Sequence, residues 1–127
     1  MTLNFNQITN ILAVCEELKD TKMPFKLSLI LAKNISVLKA EQEFYIDRER
    51  EFAMKYLATD ENGQFIQQSE NAFKIIEGME QECMEARMEL NNFVSEVALR
   101  MIPISLIENM EFTPNQLEAL EILIEEE

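Results

Sequence analysis

The side chains best suited by type and spacing to act on something else are carboxylates. Glu70, Glu77, Glu80, Glu82, Glu85, Glu89 and Glu96 lie in one stretch whose only cations are Lys74 and Arg87. Glu82, Glu89 and Glu96 recur every seven residues, which keeps them on one side of a helix, and Glu70 and Glu77 share a neighbouring line. Glu85 and Glu89 have the residue type of a general acid and base, but with so many Glu on one helix chance placement explains the pair better. Other reactive types are scarce. The chain has no His, which removes the usual catalytic base and imidazole metal ligand, and the bundle metal sites built on Glu-x-x-His. Gly63 and Gly78 are too few and too far apart for a phosphate-cradling loop, and no GxSxG is present. Asp60-Glu61-Asn62-Gly63 is a turn signal rather than a calcium loop, which needs Gly at its sixth position and Glu at its twelfth. Cys15 and Cys83 lack CxxC or metal spacing and read as small buried hydrophobes of a reducing compartment. The expectation is a protein that is not an enzyme, with no catalytic residues, no cofactor and no metal.

The 127 residues hold 24 Asp and Glu against 11 Lys and Arg, a formal charge of -13. That charge repels nucleic acid, whose binding runs on Lys and Arg. Its distribution is uneven: residues 1–59 carry 8 acidic and 8 basic side chains, residues 60–127 carry 16 and 3. Two readings follow. The acidic stretch is a solvated face that keeps the chain soluble, or it is an electrostatic surface for a protein partner with a basic surface, imitating a nucleic-acid backbone. On the second reading the partner-binding residues are Glu70, Glu77, Glu82, Glu85, Glu89 and Glu96. Met84 and Met88 join them, since they fall outside the apolar seam of their helix.

These residues must be positioned by helices, because only 2 Gly and 3 Pro interrupt the whole chain. Residues 2–5 alternate and predict a short strand. Asn6 is a candidate cap for a first helix over about 7–19. Pro24 suits the first turn of a second helix over about 24–58, whose seam is Leu31, Ile35, Leu38, Gln42, Tyr45, Glu49, Phe52 and Tyr56. Ser69 is a candidate cap for a third helix over about 69–95, with Ala72, Ile76, Met79, Cys83, Ala86, Leu90 and Phe93 at the same spacing. Joined by a short turn, the two predict an antiparallel hairpin over about 24–95, with Tyr45 facing Cys83 and Glu49 near Met79. Residues 97–103 and 110–112 read as extended and predict, with 2–5, one small sheet. Ser105 to Glu108 matches a capping box for a single helical turn. Thr113-Pro114-Asn115-Gln116 opens a last helix, and Glu125, Glu126 and Glu127 form an acidic end expected to fray. The fold expected is mainly α with minor β, one domain over 1–127. Polar Gln42 and Glu49 in the seam, with Met84 and Met88 outside it, suggest a homodimer through the long helices.

The order of features resembles a family of small proteins from phages and prophages of Gram-positive bacteria, a domain of unknown function. The similar stretches are Met23-Pro24-Phe25-Lys26, Leu31-Ala32-Lys33-Asn34, Asp47-Arg48-Glu49-Arg50-Glu51, Tyr56 to Gly63, and Thr113 to Leu120. The resemblance implies a phage-encoded accessory protein made inside a bacterial cell, an inhibitor of a host or anti-phage defence protein or, alternatively, an assembly chaperone or minor structural protein. Cytoplasmic placement agrees with an N-terminal stretch that lacks a basic region and a long apolar core, and with a longest apolar run, Leu27 to Ala32, too short for a membrane.

Overall fold

Asn4 decides where the first helix begins. Its side chain accepts the Gln7 N–H at 2.8 Å while the Gln7 side chain accepts the Asn4 N–H at 2.9 Å. This capping box satisfies two N–H groups that a helix start leaves open. In the computed structural model, which describes residues 1–126, α1 therefore spans Phe5–Leu18. The cap is Asn4, not Asn6. The second helix, α2, spans Phe25–Tyr56, and the Pro24 carbonyl accepts the Ser28 N–H at 3.1 Å to start it. α3 spans Glu80–Asn91 and α4 spans Pro114–Leu120. As expected, Thr113 and Gln116 cap α4 reciprocally with Pro114 at its start. Among the described residues six short strands pair two by two. The chain is mainly α with minor β, and it divides into two compact units.

The first unit holds Met1–Glu43 and the chain from Val94 onward. β1 (Thr2–Asn4) lies antiparallel to β4 (Val94–Glu96), with Leu3 opposite Ser95. β5 (Ile102–Pro103) lies parallel to β6 (Ile124–Glu125). Leu3, Ile8, Cys15, Leu27, Leu38 and Leu123 form a core with almost no solvent contact. Asn34, 1% exposed, sits among them. It donates to the Arg100 carbonyl at 3.0 Å and accepts the Arg100 N–H at 2.8 Å. A side chain thus occupies the groups a neighbouring strand would use. This is one reason residues 97–101 form no strand and the single sheet expected from 2–5, 97–103 and 110–112 is replaced by two separate pairs. Residues 110–112 join no strand pair. A single helical turn forms at Ile104–Leu106, with Pro103 rather than Ser105 at the residue before it. Glu125 is held in β6 instead of fraying, and Glu127 lies outside the described residues.

On α1, Glu16 takes the ammonium groups of Lys19 and Lys39, each at 3.0 Å. Hydrogen bonds from Lys19 and then Lys39 hold its pKa below the ordinary carboxylate value. A carboxyl depressed by folding contributes stability above its unfolded pKa, and that contribution is lost as pH falls through the folded one. Glu16→Gln is therefore expected to lower the melting temperature near pH 7 and to leave it equal to wild type at about pH 2. Thermal melts at the two pH values check this; an equal deficit at both would assign the effect to packing.

The second unit is Phe44–Phe93. Here the end of α2 and α3 run antiparallel, but the register differs from the expected one. Tyr45 Oη donates to the Phe93 carbonyl at 3.1 Å, not toward Cys83. Glu49 meets Arg87 rather than Met79, with both guanidinium ends bonded to its carboxylate and one of them at 2.9 Å. The cause is the connection, which is a β cap and not a short turn. The Ala58 N–H donates to Lys74 at 2.9 Å, Lys74 N–H to Ile66 at 2.8 Å, and Ile66 N–H to Ala58 at 3.2 Å. Three chain stretches thus close a ring of backbone bonds. β2 (Gln67–Ser69) and β3 (Ala72–Phe73) pair antiparallel within it, and Leu57 bridges Ile75. The third helix consequently starts at Glu80, not 69, and ends at Asn91, not 95; Ser69 lies in a strand and caps nothing. The helical spacing of Ala72, Ile76 and Met79 is real, but Gly78 between them has φ +89°, which no helix accommodates. The hairpin's second arm is 12 residues against the 32 of α2.

Candidate partner-binding surface

α3 turns Cys83 inward, with Ala86, Arg87 and Leu90 half-buried beside it. Helical rotation then sends Met84 and Met88, four residues apart, to the outside, where each is 59% exposed. Glu82, Glu85 and Glu89 are exposed on the same helix. Glu80 and Glu82 occupy its first turn, where the positive end of the helix dipole favours them. Glu85 accepts the Gln81 side-chain amide at 3.0 Å. Among the described residues neither Glu82 nor Glu89 forms an ion pair within 4.0 Å. The structure therefore gathers five of the expected residues, Glu82, Met84, Glu85, Met88 and Glu89, on one short helix.

The other three are placed differently. Glu70 sits in the turn between β2 and β3, where its carbonyl accepts the Gln67 side chain at 3.2 Å. Glu77 lies in the turn beside Gly78, exposed and off the helix. Glu96 belongs to β4 in the first unit, so the seven-residue repeat of Glu82, Glu89 and Glu96 does not make a helical stripe. Its carboxylate takes the Met1 ammonium at 2.6 Å and the Thr2 hydroxyl. Those two hydrogen bonds, the ammonium's first, lower its pKa.

A feature absent from the sequence reading lies beside α3. A groove of about 370 Å³ runs between α2 and α3, lined by Phe44, Arg48, Phe52 and Tyr56 on one side and Glu89 and Leu90 on the other. The Arg48 guanidinium stands 4.7 Å from the centre of the Phe44 ring and pairs with Glu51 at 2.6 Å. Lys55 lies 5.3 Å from the Tyr56 ring centre. Cation–π contacts of this kind hold long cationic side chains along an aromatic surface. The signal was available in the 4,3,4 spacing of Phe44, Arg48, Glu51 and Lys55, which shares a helix with the buried seam and is masked by it.

Both cysteines are buried and unpaired. Burial, and then the neighbouring Glu16 charge, pushes the Cys15 thiol up to about 11, far from nucleophilic at neutral pH. No group of three or more metal-ligating side chains is gathered among the described residues, and no helix is long and apolar enough to cross a membrane. No family model, curated protein or solved structure matches the chain.

Proposed function

We propose that this chain is a non-enzymatic binding protein that occupies a basic surface on a partner protein through α3. The observation that carries the reading is the joint exposure of Glu82, Glu85 and Glu89 with Met84 and Met88 on one helix. Carboxylates three or four residues apart on a helix have Cβ atoms about 5–6 Å apart, a spacing of the same order as that of phosphates on a nucleic-acid strand. The methionines add a deformable apolar patch that fits shallow pockets without fixed geometry. With the resemblance to small phage proteins, the reading becomes an accessory protein acting in the bacterial cytoplasm. It inhibits a host or anti-phage defence protein whose basic surface binds nucleic acid.

The test is a pull-down from bacterial lysate at low and high salt, comparing wild type with Glu82→Lys/Glu85→Lys/Glu89→Lys. Exposed Glu and Lys have similar helix propensity, so α3 should persist by circular dichroism. Recovery of a basic nucleic-acid-binding protein at low salt only, lost in the triple variant by about 100-fold in affinity, is the expected result. Equal capture by the triple variant means that the acidic face is only solvated. A second reading, assembly chaperone or minor structural protein, is favoured by the exposed Phe65 and Phe73 rings of the β cap, 6.2 Å apart. It predicts capture that salt leaves unchanged, of virion or tail proteins.

A further inference from the structure

We propose that a second copy of this chain docks along the α2 side of the aromatic groove, forming an antiparallel two-fold dimer through Phe44, Arg48, Glu51 and Lys55. These four residues follow one another at intervals of 4, 3 and 4, so they form a straight stripe along α2. The stripe is about 16 Å long at the α-helical rise. All four side chains are exposed, including 40% of Phe44. Across a two-fold axis at its midpoint, Arg48 meets Glu51 of the second copy and Glu51 meets its Arg48. Phe44 likewise meets Lys55 of that copy, and Lys55 its Phe44. Two ion pairs and two cation–π contacts form by symmetry alone, with no like charges opposed.

Charge selects this occupant. Two chains of -13 repel one another wherever their acidic surfaces face. The groove is different: Arg48 and Lys55 offset Glu51 and Glu89 among its lining residues, so it has no net charge. Its order of signs along α2 is complementary to its own reverse. A uniformly basic partner would instead set like charges against Arg48 and Lys55. The unit also needs covering: of its 50 residues only Tyr45, Tyr56 and Cys83 are buried apolar side chains, while Met54 is 72% exposed.

Sedimentation equilibrium on the full chain, at low and high salt, tests the dimer independently of the acidic-face reading. Screening weakens the overall repulsion, so dimerisation should tighten as salt rises from low ionic strength, the opposite of binding to a basic partner. Arg48→Glu is expected to weaken dimerisation at least about 10-fold. The exchange Arg48→Glu/Glu51→Arg restores opposite signs across the axis and should recover it to within about 3-fold of wild type. The triple lysine variant of α3 should still dimerise. A wild-type monomer at about 0.5 mM in high salt, or a charge exchange as weak as the single variant, overturns the proposal.

Discussion

Tyr45→Ala is expected to unfold the stretch from Phe44 to Phe93. Tyr45 is 2% exposed and is one of three buried apolar side chains there. Its ring meets Phe93 edge-on at 5.7 Å and Phe44 at 6.1 Å, and its hydroxyl donates to the Phe93 carbonyl at 3.1 Å. Removing a buried aromatic ring of this kind costs about 4 kcal/mol, part lost transfer energy and part unfilled cavity. A small domain has roughly 5–15 kcal/mol in all, and a unit with so few buried groups has little to spare. Tyr45→Phe keeps the ring and removes the hydrogen bond to the Phe93 carbonyl, for about 1 kcal/mol. Urea unfolding measures both differences. Amide exchange locates them: protection over α3 should fall in Tyr45→Ala. A cost below about 1 kcal/mol for the alanine variant would show that the ring is not what holds α3 to α2.

Asn34→Ala should be nearly as severe in the first unit. The Asn34 amide bonds both backbone groups of Arg100, 66 residues away, from a position with almost no solvent contact. The Ala variant leaves an N–H and a carbonyl of Arg100 without their partner, for about 3 kcal/mol. Asn34→Asp keeps the acceptor but exchanges the donor for a carboxyl. Burial disfavours its charged form, so the penalty of the Asp variant should grow as pH rises through the carboxylate range. Denaturation of both variants at about pH 4 and pH 7 checks this. An Ala variant as stable as wild type would mean that water replaces the amide.

Elements whose signals lie within a few residues of one another were legible in the chain itself. Thr113, Pro114 and Gln116 set the start of α4 because a capping box is a local exchange of hydrogen bonds. The long run from Pro24 to Gly63 without Pro or Gly allowed one helix of 32 residues, and one formed. Choices between equal local signals were settled elsewhere. Asn4 and Asn6 are the same residue type, and Asn4 became the cap because Gln7 stands three residues after it while β1 pairs with β4. Ala72, Ile76 and Met79 have the spacing of a helix, but the ring of bonds among Ala58, Ile66 and Lys74 holds this stretch out of α3 and puts Ala72 in β3. That shortened α3, moved Glu70 and Glu77 onto turns, and left Glu82, Glu85 and Glu89 as the acidic face. Asn34 gave no sign of its role, because its partner is remote in sequence. A helical period records which side chains share a face. It does not record where a hydrogen bond between distant stretches will end that helix, and here such bonds fixed which carboxylates stand together.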